Sequence, residues 1–490
     1  MAETDPLLRS RSNTSQPLND DPQEEEDAFQ DVEFQSQTCY DNPLNWPQSY
    51  KWGVIALLAS MAFAVTFTCI GVVPVAGRIV LDLEGRESKS SSVLLVTIWE
   101  LGEAAGPLII APLSEVYGRY PIFNAANVLF ILWTLVAASS QTSWLFIFSR
   151  FLTGCAVASN VLSPAIIGDI LPPEQRGTAI ATLMVAPLLG GAVGPAIAGA
   201  IAQTIGWRRI LWLGAGIAGV CELAFLLTLR ETYKITILRS RLKRERRASH
   251  VSVVDPEKES ATKTIWRSIK RPATVFADSL VLQILSLYGC LVFSFFYVMA
   301  TTLPSVLESE YGFSPASTGS AFLSFSIGSC LGILVCNLTL DPIYVKLKKA
   351  NNNIGLPEHR MPLIIISALL LPLAVLLFGW TAQNHWPVQV LLLSVGLLGF
   401  FLLLCMVPLM TYVTDAFGIY SASALTAVLV TRCLMSTFLP LSVVPVTDAL
   451  GFGWGFVVFA TMCFALAPLP LLVLRNGYAW RQRSVYTKDL

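Results

Sequence analysis

Twelve apolar runs, each of about 20 residues, constrain what this 490-residue chain can fold into more than any other feature. A helix of that length crosses the ~30 Å hydrocarbon layer of a bilayer. The period-2 alternation typical of a membrane β-barrel is absent from the runs. We therefore predict an all-α membrane protein with twelve transmembrane helices, at residues 51–73, 92–113, 122–140, 144–168, 178–203, 209–229, 279–303, 317–338, 361–380, 387–411, 422–444 and 454–474.

Composition also indicates a bilayer, since 54% of the residues are hydrophobic and only 13% are charged. The charges are segregated: residues 1–50 contain 11 acidic and 2 basic side chains, whereas residues 230–271 contain 13 basic and 5 acidic ones. The long loop at residues 230–278 separates the first six predicted spans from the last six. We predict five segments: a disordered acidic cytosolic tail (1–50), a first six-helix bundle (51–229), a basic cytosolic linker (230–278), a second six-helix bundle (279–474) and a cytosolic C-terminal tail (475–490).

Loop charges predict the orientation of the chain. No apolar signal sequence precedes the first span, so the N-terminus is expected to stay in the cytosol. Most basic residues of short loops then lie on the cytosolic side, as is usual, although Arg208 and Arg209 run against the trend. We expect a monomer in the cell membrane, or alternatively in the vacuolar membrane, with both termini cytosolic. The linker of the protein is expected to meet anionic lipid head groups.

Ionisable side chains within the apolar runs mark candidate functional positions, because they are costly in hydrocarbon. Glu100 and Glu103 are three residues apart and share a helix face, so we expect them to line a polar cavity and to couple protons. Glu222 is a further proton-coupling candidate, with a buried structural acid as the alternative. Arg150 and Arg432 lie too deep in their spans to snorkel easily, which favours roles in a substrate cavity or in ion pairs.

Aromatic and small residues supply two further sets of candidates. Tyr288 and Tyr297 of the seventh span could contact cargo, although such a stripe also serves packing. The fifth span is rich in small residues, which permit close packing of helices, and its prolines permit a bend. We interpret it both as a packing surface and as a gate helix, formed by Gly190, Gly191, Gly194 and Pro195.

No motif in the sequence indicates a metal site or an enzyme. The ten cysteines and three histidines lack metal-ligand spacing, and no phosphate loop or nucleophile elbow is present. We therefore expect no metal and no nucleic acid partner. A membrane enzyme or a receptor is disfavoured for the same reason.

Several motifs together resemble those of fungal members of the major facilitator superfamily, specifically the twelve-spanning drug:proton antiporters, over about residues 46–475. The motifs are the loop signature Ala111–Pro121, Arg150-Phe-Leu-Thr-Gly154 in the fourth span, Gly190-Gly-Ala-Val-Gly194-Pro195 in the fifth, Leu-Arg230-Glu231-Thr232-Tyr233 after the sixth, Glu310-Tyr-Gly-Phe-Ser after the seventh, and Arg432 with Phe438-Leu-Pro440-Leu in the eleventh.

The resemblance implies the major facilitator fold, in which two six-helix bundles rock about a site near the midplane. It also implies a cytosolic gate formed by Glu115, Gly118, Arg119 and Asp169. In the loop signature, Glu115 replaces the usual Asp, and Val116 and Tyr120 replace basic residues. This reduced charge argues against a full network of salt bridges at the gate.

The function implied is that of a secondary active transporter, not an enzyme. It would export small organic molecules such as drugs, toxins or secondary metabolites in exchange for protons, by alternating access. The proton gradient would supply the energy, with no bound cofactor. Two alternatives remain open at this stage: a dedicated exporter of one organic acid or metabolite, and a proton-coupled uptake symporter.

Overall fold

The computed structural model describes residues 42–237 and 261–488, and every regular element in these ranges is helical. Most of the predicted acidic tail (1–41) and of the predicted linker (238–260) lies outside the described residues. The α-helices of nine residues or more are α1 (Gln48–Gly71), α2 (Ala76–Glu84), α3 (Lys89–Tyr117), α4 (Arg119–Ser139), α5 (Ser143–Cys155), α6 (Ser159–Ile170), α7 (Pro173–Thr204), α8 (Arg208–Thr228), α9 (Ala261–Asp278), α10 (Leu280–Ser309), α11 (Pro315–Ala350), α12 (Met361–Gln383), α13 (Val388–Phe417), α14 (Ser421–Leu466) and α15 (Pro468–Arg481).

The prediction of an all-α membrane protein is confirmed. Ten helical segments of the described residues are long and apolar enough to cross a bilayer. Two further crossings account for the predicted twelve. The short helices α5 and α6 together span the fourth predicted run, and α14 breaks at Gly451, whose φ of 79° lies outside the helical region.

Side-chain oxygens cap the starts of several spans. Ser88, Thr142, Ser279 and Ser314 each accept a hydrogen bond from the backbone N–H three residues later. Such caps satisfy N–H groups that have no partner inside the helix. These residues therefore fix where α3, α5, α10 and α11 begin.

Some helices extend beyond the predicted spans. Helix α11 continues to Ala350, twelve residues past its predicted end, and α9 lies within the predicted linker. Helix α15 extends into the predicted C-terminal tail, where Arg481 is fully buried and forms an ion pair with Glu358. The tail continues from there to contact α9, because Ser484 Oγ donates a hydrogen bond to Asp278.

Helices α1–α8 form the first half of the protein and α10–α15 form the second. The halves meet mainly where α7 packs against α11 and α3 packs against α14. A Cβ atom on Gly319 would lie 2.1 Å from the Pro195 carbonyl oxygen, and one on Gly199 would lie 2.1 Å from that of Pro315. At this reciprocal contact the backbones of α7 and α11 are so close that there is no room for a side chain larger than that of glycine.

An ion pair lies at the same end of the bundle, where Lys89 Nζ is 2.8 Å from Asp448 Oδ1. We call this end, which carries the loops after α2 and α7, the Lys89 face. The opposite end, which carries the α3–α4 loop, is the Arg119 face. The two halves are thus in contact at the Lys89 face, through both backbone packing and charge.

Candidate functional site

Glu100 and Glu103, the two buried carboxylates of α3, lie at the contact between the halves. Glu100 and Glu103 are 2% and 6% exposed, so both are shielded from solvent and lipid. Glu100 Oε1 accepts a hydrogen bond of 2.6 Å from the Tyr297 hydroxyl on α10. Glu103 Oε1 is 3.3 Å from Arg432 Nη2 on α14. Each of these two acids is therefore bound by a partner from the second half, and we call Glu100, Glu103, Tyr297 and Arg432 the interhalf cluster.

Aromatic rings of the second half surround this cluster. The Arg432 guanidinium lies 4.1 Å from the ring centroid of Phe293, a distance typical of a cation–π contact. The Phe296 ring is 4.9 Å from that of Tyr297 and 4.8 Å from that of Phe325. We call Phe293, Phe296 and Phe325 the aromatic wall, and it provides an apolar surface next to the polar cluster.

Arg150 lies on α5 in the first half, next to α1 and α3. Its side chain is 1% exposed, and its Nη2 and Nη1 donate to the carbonyl oxygens of Cys69 (2.9 Å) and Thr68 (3.3 Å). The guanidinium also lies 4.7 Å from the ring centroid of Trp99, the residue before Glu100. Arg150 thus joins α5 to α1 and α3.

Glycines explain why Arg150 can reach this position. A Cβ atom on Gly154 would lie 2.3 Å from the Trp99 carbonyl oxygen, and one on Gly102 would lie 2.1 Å from that of Phe151. The backbones of α3 and α5 are therefore in direct contact. Since Arg150 precedes Gly154 by one helical turn, this contact brings its side chain next to Trp99.

Two predicted candidates lie apart from the interhalf cluster. Glu222 Oε2 accepts a hydrogen bond of 2.8 Å from Asn127 Nδ2, which joins α8 to α4 inside the first half. Tyr288 is 1% exposed and lies beside Cys405 of α13, inside the second half. The structure therefore brings Glu100, Glu103, Tyr297 and Arg432 together but not Glu222 or Tyr288.

The predicted gate residues meet at the Arg119 face. Arg119 Nε is 3.5 Å from Asp169 Oδ2, and its Nη1 donates to Ser114 Oγ at 2.6 Å. Gly118 has a φ of 103°, which favours glycine at this sharp turn between α3 and α4. Glu115 is exposed at the end of α3.

Glu231 is a member of this network that the sequence-based list of candidates missed. Its carboxylate accepts hydrogen bonds from the backbone N–H groups of Arg119 (2.9 Å) and Tyr120 (3.3 Å), at the start of α4. A carboxylate at this end of a helix is also favoured by the helix dipole. Glu231 follows α8 directly, so its position after the sixth span at the same face was the signal available.

The residues of the predicted gate helix divide between two partners. Cβ atoms on Gly190 and Gly194 would contact Phe63, Thr66 and Phe67 of α1, in the same half. The Pro195 carbonyl instead faces Gly319 of α11, in the other half. Of these residues, Gly190 and Gly194 therefore pack within the first half, whereas Pro195 contacts the second half.

A second charged network lies at the Arg119 end of the second half. Arg360 contacts Asp341 at 2.7 Å and Asp415 at 3.1 Å, so it bridges α11 and α13. Glu358 accepts two hydrogen bonds from Arg481, of 2.9 and 3.1 Å. Within residues 42–237 and 261–488, no group of three or more His, Cys, Asp and Glu side chains could hold a metal ion.

Comparisons of the sequence identify related proteins. The profile of the Major Facilitator Superfamily matches residues 53–440. The efflux pump radE of Floropilus chiversii is 34% identical over 475 residues, which cover 96% of this chain and 88% of the pump. The MFS transporter cpaT of Aspergillus oryzae is 30% identical over 463 residues, which cover 94% of this chain and 93% of that protein.

Solved structures share the fold at low sequence identity. The D-xylose-proton symporter has a TM-score of 0.65 at 17% identity, covering 86% of this chain and 97% of the symporter. A bacterial homologue of the human lysosomal transporter Spinster, in an inward-facing conformation, has a TM-score of 0.60 at 14% identity, with 89% and 99% coverage. At such identities the likeness establishes the fold alone.

Proposed function

This chain belongs to the major facilitator superfamily, and from that premise we propose that it exports small organic molecules from the cytosol in exchange for protons. Members of the superfamily are membrane transporters rather than enzymes. One observation supports the exchange most strongly: Glu100 and Glu103 of α3 are buried and bound to the second half, through Tyr297 and Arg432. A proton that neutralises either acid acts directly on the contact between the halves.

The interhalf cluster acts as a lock on the empty transporter. With Glu103 ionised, its attraction to the Arg432 guanidinium holds α3 against α14. Breaking a buried pair of this kind costs about 3–5 kcal/mol when one partner stays charged. A proton on Glu103, or cargo that takes over one of the partners, weakens the lock. The empty carrier therefore stays with its Lys89 face closed until a proton or cargo binds.

In this proposal the Lys89 face is extracellular and both termini are cytosolic. The structure then has its halves in contact outside, and cargo enters from the Arg119 face. Arg119, Asp169, Gly118 and Glu115 form the cytosolic gate, which the carboxylate of Glu231 stabilises. The protein works as a monomer in the cell membrane, or alternatively in the vacuolar membrane, driven by the proton gradient without a cofactor.

Reconstituted protein tests the exchange. Purified protein is placed in vesicles that contain a pH-sensitive dye, and each member of a panel of hydrophobic organic compounds is added. We expect at least one compound to drive proton movement opposite to its own. Glu103→Gln should reduce the protons moved per molecule of cargo by about tenfold or more, because a neutral amide cannot take up the proton.

Glu87→Gln is the matched control, because Glu87 is an exposed acid at the Lys89 face. It should leave the ratio unchanged. Protons and cargo that move in the same direction would show a symporter instead. If Glu103→Gln and Glu100→Gln both move as many protons as the unmodified protein, Glu100 and Glu103 take no part in the coupling.

A further inference from the structure

Arg150 is a buried cation that no carboxylate of the described residues neutralises directly. Arginine keeps its charge at any physiological pH, and buried charges in proteins are normally paired. Within the two described ranges, Arg150 makes no ion pair at 4 Å or less, whereas Arg432 pairs with Glu103. Glu100 and Glu103 are the carboxylates nearest to Trp99 in sequence, and both are bound by the second half instead.

The hydrogen bonds of Arg150 also leave donors unused. Its two described oxygen acceptors are backbone carbonyls, on Thr68 and Cys69, and its weak third contact is with the Cys69 sulfur at 4.0 Å. Its Nε is buried and donates no hydrogen bond to any residue that the structure describes. A guanidinium binds a carboxylate best through two parallel N–H groups, and an Nε–H with a neighbouring Nη–H forms such a pair.

The surroundings of Arg150 suit an anion with an apolar body. The Arg150 guanidinium lies over the ring of Trp99, and the next residue, Glu100, is bonded to Tyr297, so Arg150 is near the contact between the halves. Tyr297 also touches the aromatic wall through Phe296 and Phe293. One ligand could therefore contact a cation, a hydroxyl donor and several rings.

We propose that the cargo of this transporter carries a carboxylate that binds Arg150, with an apolar body that lies against the aromatic wall. This inference rests on the proposed function and assigns its substrate class: amphipathic organic acids. Both the Arg150 Nε–H and the Tyr297 O–H serve the cargo carboxylate. Because Tyr297 has a single hydroxyl proton, donation to cargo removes its bond to Glu100, and cargo thereby opens one of the two bonds between the halves.

Matched pairs of probes test the assignment. Binding of 2-naphthoate and its primary amide, and of decanoate and its primary amide, is measured with purified protein. The acid should bind about tenfold or more tightly than its amide in at least one pair, because only the acid neutralises the buried cation. Arg150→Gln should bring the two affinities of that pair to within about twofold.

Arg176→Gln is the matched control. Arg176 also donates to backbone carbonyls, those of Gly168 and Leu171, but it lies in the first turn of α7, at the Arg119 face and away from the interhalf cluster. It should keep the preference for the acid. Tyr297→Phe is a second variant in case Arg150→Gln does not fold, and it should weaken binding of the acid severalfold while leaving that of the amide unchanged.

Equal binding of acid and amide by the unmodified protein, or no binding of either, would overturn the assignment. So would a preference for the acid that survives Arg150→Gln. These failures differ from failure of the proposed function, because neutral compounds could still drive opposite proton movement in the vesicle assay. In that case the exchange would stand and only the substrate class would be wrong.

Discussion

Replacing Gly319 with leucine is expected to abolish transport while leaving a folded protein. The Cβ of any larger residue would lie 2.1 Å from the Pro195 carbonyl oxygen, which is far inside van der Waals contact. Overpacking costs about 1–3 kcal/mol or more, and here the whole cost falls on the conformation with the Lys89 face closed. The exchange rate in vesicles should therefore fall by about 100-fold.

Gly216→Leu is the control for this substitution, because a Cβ on Gly216 in α8 would have no atom within 4 Å. It should exchange at the rate of the unmodified protein. Gly199→Leu, at the reciprocal contact with Pro315, should reproduce the loss. Normal exchange by Gly319→Leu would mean that this crossing of α7 and α11 is not needed during the cycle.

Replacing Arg481 with methionine is expected to destabilise the second half severely. The side chains of Arg481 and Glu358 are 0% and 4% exposed, and two hydrogen bonds join them. Removal of one partner leaves a buried, unpaired carboxylate, which costs about 3–5 kcal/mol. The free energy of unfolding in detergent should fall by that amount, as measured by denaturant titration.

Arg483→Met is the matched control, since Arg483 is exposed two residues later, and it should change stability little. The double variant Glu358→Gln with Arg481→Met removes both charges. It should be more stable than Arg481→Met alone. If Arg481→Met, Arg483→Met and the double variant all have the same free energy of unfolding as the unmodified protein, the Arg481–Glu358 ion pair does not hold α15 to the rest of the second half.

The fold followed from local pattern, because a bilayer imposes the length and composition of each span. Glu100 and Glu103 could be placed on one buried face from their spacing alone. Their partners could not be predicted from pattern, since Tyr297 is 197 residues from Glu100 and Arg432 is 329 residues from Glu103. Such pairings depend on how α10 and α14 pack against α3, which periodicity does not encode.

The residues that sequence analysis missed lie just outside apolar runs. Glu231, Glu358 and Arg481 follow or precede spans, in positions where solvated charges are common. Burial of Glu358 and Arg481 depends on α15, which continues past its apolar run and brings the two side chains together. Glu222 shows the reverse case: its mid-span position suggested proton coupling, yet its described partner is Asn127, within the first half.

In the proposed cycle, the interhalf cluster locks the halves together until a proton or cargo releases it. Spin labels on bio-orthogonal amino acids at Glu87 and Asn384, exposed on the Lys89 face in different halves, report their separation. For the empty protein we predict a short distance at neutral pH that lengthens on acidification, and a long distance at both pH values for Glu103→Gln. If the distance is short for Glu103→Gln and does not change with pH in the unmodified protein, the interhalf cluster does not lock the halves together.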